Sequence, residues 1–163
     1  MKCIISSLRA TENGVHKLRN SIKPGLSENE LWSILHKAII AQDGDYCETR
    51  LLSSGQKTNP WFQETGPRSI QENELIALDT DVVGCYGYYS DFSRTFHAGP
   101  NNPSPDQKLL YSIAKEQVEH NMSIIQPGMS FKEYSEKAWA IPEEFFENRY
   151  YLSAHGCGMT GEY

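Results

Sequence analysis

A ten-residue stretch of this chain occurs twice. Ile22-Lys23-Pro24-Gly25-Leu26-Ser27-Glu28-Asn29-Glu30-Leu31 aligns with Ile125-Gln126-Pro127-Gly128-Met129-Ser130-Phe131-Lys132-Glu133-Tyr134, 103 positions later. Each copy follows an amphipathic segment, breaks it at Pro-Gly, and opens a new helix with a hydroxyl N-cap and a Glu at the third position. Helix caps reuse these letters, so coincidence is the alternative. The shared context on both sides favours a duplicated half-domain. A chain of 163 residues holds one such domain with a real core and is too short for two. The first half is expected to span about residues 1–100 and the second about 101–163. By the offset, Tyr163 corresponds to Pro60, so the second half is expected to be incomplete.

Ile4, Leu8, Val15, Leu18 and Ile22 fall near one helical face, and Lys23-Pro24-Gly25 ends that helix. Leu31, Ile34, Leu35, Ala38 and Ile39 form a second stripe behind the Ser27/Glu30 capping box. After Asp43-Gly44-Asp45 the period changes. Glu48 to Leu52 reads as a strand, Gly55 to Gly66 as a long loop, and Leu75 to Leu78 as a short buried strand entering Asp79-Thr80-Asp81. Gly84 to Gly87 reads as a turn and Tyr88 to Phe96 as the returning strand of a hairpin. Ser104, Pro105 and Gln107 open another helix, and Tyr150-Tyr151-Leu152 is strand-like. The class is α+β.

The chemistry concentrates on the hairpin. Asp79 and Asp81 are one residue apart on a strand, which points both carboxylates to one face, and cross-strand pairing brings Asp91 towards them. Three converging carboxylates stay ionised only if a cation neutralises them, and a divalent metal is the simple resolution. The bland alternative is a strand exit with Asp91 capping a turn. His155, in Ala154-His155-Gly156-Cys157-Gly158, adds an imidazole where glycines permit close approach. Cys157 reads as a packed thiol, because a hard carboxylate cluster is a poor companion for a thiolate ligand.

The net charge of -6 comes without any Lys/Arg stripe, so a nucleic-acid partner is not expected. Apolar runs are too short for a membrane span, and no leader or lipidation motif is visible. Four scattered cysteines without C-x-x-C spacing signal neither a zinc finger nor a disulfide framework. A soluble, cytoplasmic protein is the expectation.

The run from Asp81 to Asp91, then Ser93-Arg94-Thr95-Phe96, then His155-Gly156-x-Gly158 resembles the pita-bread metallopeptidase superfamily of aminopeptidase P, prolidase, methionine aminopeptidase and creatinase. The resemblance implies a partial pita-bread fold with pseudo-twofold duplicated α-β halves. It implies two divalent metal ions (iron, manganese, zinc or cobalt) held by Asp81, Asp91, His155 and two later glutamates. Those glutamates, with the C-terminal part of the catalytic domain, would lie beyond Tyr163, and an N-terminal domain would also be missing. A fragment of this extent is expected to be inactive by itself, and the full-length protein to be a homodimer.

Within that superfamily the chain looks most like the dimethylsulfoniopropionate lyase branch, through Glu48-Thr49-Arg50-Leu51-Leu52, Thr58-Asn59-Pro60-Trp61-Phe62-Gln63-Glu64, Gly66-Pro67-Arg68 and Asp79-Thr80-Asp81. That branch uses both aspartates, which makes Asp79 an additional expected ligand. Phe62, beside Trp61, stands where the peptidases place a substrate-binding histidine, and Glu162 stands where they place another, which marks Glu162 as a catalytic candidate. Gly161 departs from the lyases, which carry Asp there. Trp61, Phe62, Tyr88 and Tyr89 are candidate substrate-binding aromatics, because a sulfonium or ammonium cation is attracted to ring faces; packing of a loop onto the core is the other reading. The resemblance implies a metal-dependent lyase acting on a small zwitterion, or alternatively an Xaa-Pro dinuclear peptidase acting on dipeptides. A non-catalytic pita-bread binding module is a third possibility, against which the retained Asp79, Asp81, Asp91 and His155 speak.

Overall fold

The computed structural model describes residues 1–161, which divide into two units. The first comprises Met1–Asn102 together with the terminal stretch from Gly156, and the second Pro103–His155.

In the first unit, α1 (Lys2–Ser21) and α2 (Glu28–Ile40) are joined by the Pro-Gly break, with Gly25 at φ 96°. Ser27 caps α2 as expected: its hydroxyl receives Glu30 N at 3.2 Å, and the Glu30 carboxylate returns to Ser27 N at 2.7 Å. That reciprocal bonding holds the Glu30 carboxyl below the usual carboxylate range, chiefly through the Ser27 amide. The buried face of α1 differs from the apolar stripe in the sequence. Leu8 is 38 % exposed, whereas Ser7, Ala10, Thr11 and Gly14 are buried with Val15 and Leu18. The reason is close approach: a Cβ on Gly84 would lie 2.8 Å from the Ser7 Cα, and one on Gly14 would lie 3.0 Å from the Ile39 side chain. Ser7 and Thr11 satisfy their hydroxyls on Cys3 O and Ser7 O within the helix.

The strands β1 (Tyr46–Cys47), β2 (Leu52–Ser54), β3 (Leu75–Asp79), β4 (Val82–Val83), β5 (Tyr89–Ser90) and β6 (Ser93–His97) form two three-stranded antiparallel sheets, ordered β1-β4-β5 and β2-β3-β6. The hairpin expected from the sequence is therefore present but divided between two sheets. The strand expected over residues 48–52 is broken, because Arg50 O turns to accept both Leu52 N and Thr65 N at 2.8 Å. The core gathers Leu18, Leu31, Trp32, Leu35 and Ile39 from the helices against Leu52, Ile70, Ile76, Leu78 and Val82. At roughly 25 cal/mol per Å² of apolar surface removed from water, this is the main stabilising contact of the unit.

The second unit contains α3 (Pro105–Ser123), α4 (Phe131–Lys137) and α5 (Glu143–Phe146) and, among the described residues, no strand. Tyr150-Tyr151-Leu152 is thus not the expected strand. Ser104 and Gln107 make a full capping box with Pro105 in the first turn. The repeated motif reappears in three dimensions: Gly128 has φ 87°, and Ser130 receives Glu133 N at 3.2 Å. Here the box is only half made, because the Glu133 carboxylate turns outward to Lys137 at 2.8 Å. Asn121 ties the unit together by accepting Trp139 N at 2.8 Å. No described helix is long and apolar enough to cross a membrane.

Candidate metal centre

β3 delivers Asp79 at its last position, and β4 resumes at Val82. Between them the chain does not continue as a regular strand. Asp81 adopts φ 35°, a left-handed conformation that aspartate tolerates better than most residues. Plain strand alternation is therefore not what aims Asp81. Thr80, fully buried, anchors the corner: its hydroxyl receives Phe92 N at 3.0 Å and lies 3.1 Å from Phe92 O. Since Ser90 pairs with Val82 and Ser93 with Asp79, these bonds hold both sides of the short connection that carries Asp91.

The result is a cluster in which one carboxylate oxygen from each of Asp79, Asp81 and Asp91 lies within 4.8 Å of the others, all three residues half-buried. Thr49 donates to Asp81 Oδ2 at 2.6 Å, and Ser93 donates to Asp79 Oδ1 at 2.9 Å. Each hydroxyl fixes one oxygen and so orients its carboxylate. Two cysteines flank the cluster and feel its charge. Burial, and then the Asp81 carboxylate, pushes the Cys47 thiol up to about 11. Burial followed by the Asp91 carboxylate raises Cys157 too, against a backbone amide of Asp91 acting the other way. The three groups that converge in the cluster all offer hard oxygen donors. Cys157 is exposed as a residue rather than packed as expected.

Beside Asp79 and Ser93 opens a cavity of about 140 Å³ over the β2-β3-β6 sheet. Leu51, Ser53, Ala77 and Thr95 line it from the sheet side, and Thr58, Trp61, Phe62 and Gln63 from the 55–66 segment. Trp61 and Phe62 meet edge to face with ring centroids 4.8 Å apart.

Tyr88 and Tyr89 are not in the wall of this cavity. Tyr89 is buried in β5, donates its amide to Gly158 O at 2.7 Å, and has its phenol pushed up by burial and then by Glu48. Its ring and Glu48 crowd Gly161: a Cβ there would lie 3.1 Å from Tyr89 Cε1 and 3.3 Å from Glu48 Oε2. His155 belongs to the second unit and is half-buried. Glu162 lies outside the described residues. Sequence reading missed Thr80 as the organiser of the corner and Glu48 as the neighbour of residue 161. Thr80 sits between two aspartates that claim attention first, and no periodicity marks a buried hydroxyl.

Comparison with known proteins shows the family and the fold. The sequence model of metallopeptidase family M24 matches residues 2–162. Across its whole length the chain is 38 % identical to dimethylsulfoniopropionate lyase DddP of Roseovarius nubinhibens, of which it covers 37 %. Over 112 residues it is 26 % identical to an Xaa-Pro dipeptidase of Pyrococcus furiosus, covering 31 % of that protein. The prolidase structure from Pyrococcus horikoshii superimposes with a TM-score of 0.87 at 22 % identity, over 99 % of this chain and 47 % of that one. The fold is thus that of the pita-bread enzymes, and the chain spans little more than a third of the curated lyase that it matches.

Proposed function

The chain belongs to metallopeptidase family M24, and from that premise we propose that it carries part of the metal site and one substrate wall of a lyase acting on dimethylsulfoniopropionate or a similar small zwitterion. The observation that carries the reading is the Trp61–Phe62 pair in the wall of a small cavity that Asp79 also lines, in a chain 38 % identical to a lyase of that substrate.

Asp79, Asp81 and Asp91 are the residues that would hold divalent metal, joined by His155 on the strength of the resemblance. Their convergence within 4.8 Å fits such an ion, since carboxylates this close repel one another without a cation. Carboxylate with imidazole suits iron, manganese, zinc or cobalt, and the resemblance gives two ions. When bound, metal there would neutralise the cluster and polarise an oxygen of the substrate. Thr49 and Ser93 keep the aspartate oxygens turned for that task.

Trp61 and Phe62 would receive the onium end of the zwitterion, at roughly 0.5–2 kcal/mol per ring contact when water is excluded. Elimination removes a proton from the carbon beside the carboxylate; that electron pair becomes the carbon–carbon double bond as the carbon–sulfur bond breaks, and dimethyl sulfide departs with the carbon–sulfur bonding pair. Glu162 is the catalytic candidate that the resemblance leaves; the lyases carry their candidate base, an Asp, where this chain has Gly161, so another base would take the proton here.

A hydrolase reading, Xaa-Pro cleavage, is favoured by the 26 % identity to the Pyrococcus furiosus dipeptidase. A paired assay on the full-length protein separates the two. The protein is loaded separately with iron, manganese and zinc, and dimethyl sulfide release is followed beside cleavage of an Xaa-Pro dipeptide. Gas release without peptide cleavage is expected; peptide cleavage alone would replace the lyase with a peptidase, and silence in both arms would overturn both.

A further inference from the structure

The first turn of α2 carries a carboxylate that neither the core nor the metal cluster uses. Glu28 is fully buried, yet its two oxygens collect four donors. Oε1 receives Ser54 N at 2.8 Å and Ser54 Oγ at 2.9 Å. Oε2 receives Lys57 Nζ at 2.6 Å and Gly66 N at 3.1 Å. A buried charge is tolerated only when it is this fully satisfied. What matters is where the donors come from. Ser54 begins the segment that bears Trp61 and Phe62, Gly66 ends it, and Lys57 reaches across by also donating to Glu64 O at 2.6 Å. The end of the same segment is fastened a second time, because Gly66 O and Arg68 O accept the Asn29 and Glu28 amides, which a free helix N-terminus would leave without partners.

We propose that Glu28 is the positioning residue for the aromatic wall: its single carboxylate closes the 54–66 segment into a loop of fixed shape and thereby sets where Trp61 and Phe62 stand over the cavity. The segment needs such a clamp. Both rings are about two-fifths exposed, Trp61 at 39 % and Phe62 at 43 %, so core packing does not hold them. Phe62 also sits at φ 60°, a conformation that a bulky residue keeps only when its surroundings impose it. Holding the rings in place before a ligand arrives removes an ordering cost that binding would otherwise carry. This inference rests on the reading of Trp61 and Phe62 as the onium-binding wall, and its test separates the two claims.

The full-length protein is labelled with 5-fluorotryptophan, and the ¹⁹F resonances of Trp32, Trp61 and Trp139 are assigned from single Trp→Phe variants. Tetramethylammonium is then titrated into wild type, Glu28→Gln and Lys57→Met. In Glu28→Gln the Trp61 resonance is expected to move or broaden while Trp139 stays in place, and the dissociation constant for tetramethylammonium to rise roughly fivefold. Lys57→Met, which leaves the carboxylate and its other donors, is expected to give a smaller change of the same kind. It carries the test if Glu28→Gln does not fold. An unchanged Trp61 resonance and dissociation constant, or a change shared equally by all three tryptophans, would overturn the positioning role. A wild-type Trp61 resonance indifferent to tetramethylammonium would instead overturn the onium-binding wall, with Glu28 still judged by the Trp61 resonance in Glu28→Gln.

Discussion

Asp81 stands opposite Asp91 at an interruption in an otherwise continuous antiparallel register. On one side Val82 pairs with Ser90 and Val83 with Tyr89; on the other Asp79 pairs with Ser93 and Leu78 with Arg94. The two sets share one register, so the hairpin passes from one sheet to the other without a slip. Where it does so, the ladder gives way to the Thr80 hydroxyl, which takes up the Phe92 amide opposite it. The two carboxylates come together at this interruption.

Thr80→Val keeps the shape of the buried side chain and removes its hydrogen bonds. The Phe92 amide loses its partner, and a loss of about 1–3 kcal/mol is expected. Thr80→Ser should retain most of that stability. Urea midpoints of the two variants check this; equal midpoints would mean that the hydroxyl does not hold the corner.

Thr49→Val and Ser93→Ala each free one carboxylate oxygen to rotate. Both are expected to weaken metal binding by roughly 10–100-fold, as removal of a ligand's supporting partner typically does. Calorimetric titration of the full-length protein with manganese reads the change, while circular dichroism should show the fold intact.

Charge repulsion in the cluster predicts a change of sign. With metal bound, Asp91→Asn is expected to lower the melting temperature relative to wild type, because a proposed ligand is lost. After chelation the same variant should melt higher than wild type, because three crowded carboxylates have become two. A pair of melting curves, with and without chelator, decides it.

Arg68 and Glu74 give the first unit a dependence on acid. Arg68 Nη1 donates to Glu74 Oε2 at 2.8 Å, with Gln71 N on the same oxygen at 3.0 Å. The Arg68 hydrogen bond, above all, holds the Glu74 carboxyl below its ordinary value of 4.5. A depressed carboxyl stabilises the fold above its unfolded value and loses that contribution as pH falls through the folded one. Acid unfolding of wild type is therefore expected to steepen below about pH 4.5, and Glu74→Gln to lose that part of the slope. Parallel acid titrations that differ only by a constant offset would show that the pair does not titrate this way.

Much of the architecture was legible in the sequence for a plain reason: α1, α2, the hairpin and the helix opened by Ser104 announce themselves through apolar period and caps, which are local. Asp79, Asp81 and Asp91 were also legible, as acidic residues at a spacing that converges if a hairpin forms. Features that depend on two distant segments were not. The left-handed turn at Asp81 follows from the change of sheet. The small buried face of α1 follows from the approach of Gly84, and the clamp at Glu28 from a loop that begins 26 residues later. In each case the residue type is explained by a neighbour that periodicity does not reveal.

The conformation of Asp81 means that the same residue is judged by two criteria that disagree. A glycine at position 81 would relieve the backbone and ease folding, yet it would delete one of the three carboxylates. A programme that screened variants of this chain for thermal tolerance alone would be drawn to this corner early, and its best performers there would be the ones that had stopped gathering charge. Asparagine, which accepts the same backbone and keeps the shape, is the substitution that tells the two demands apart.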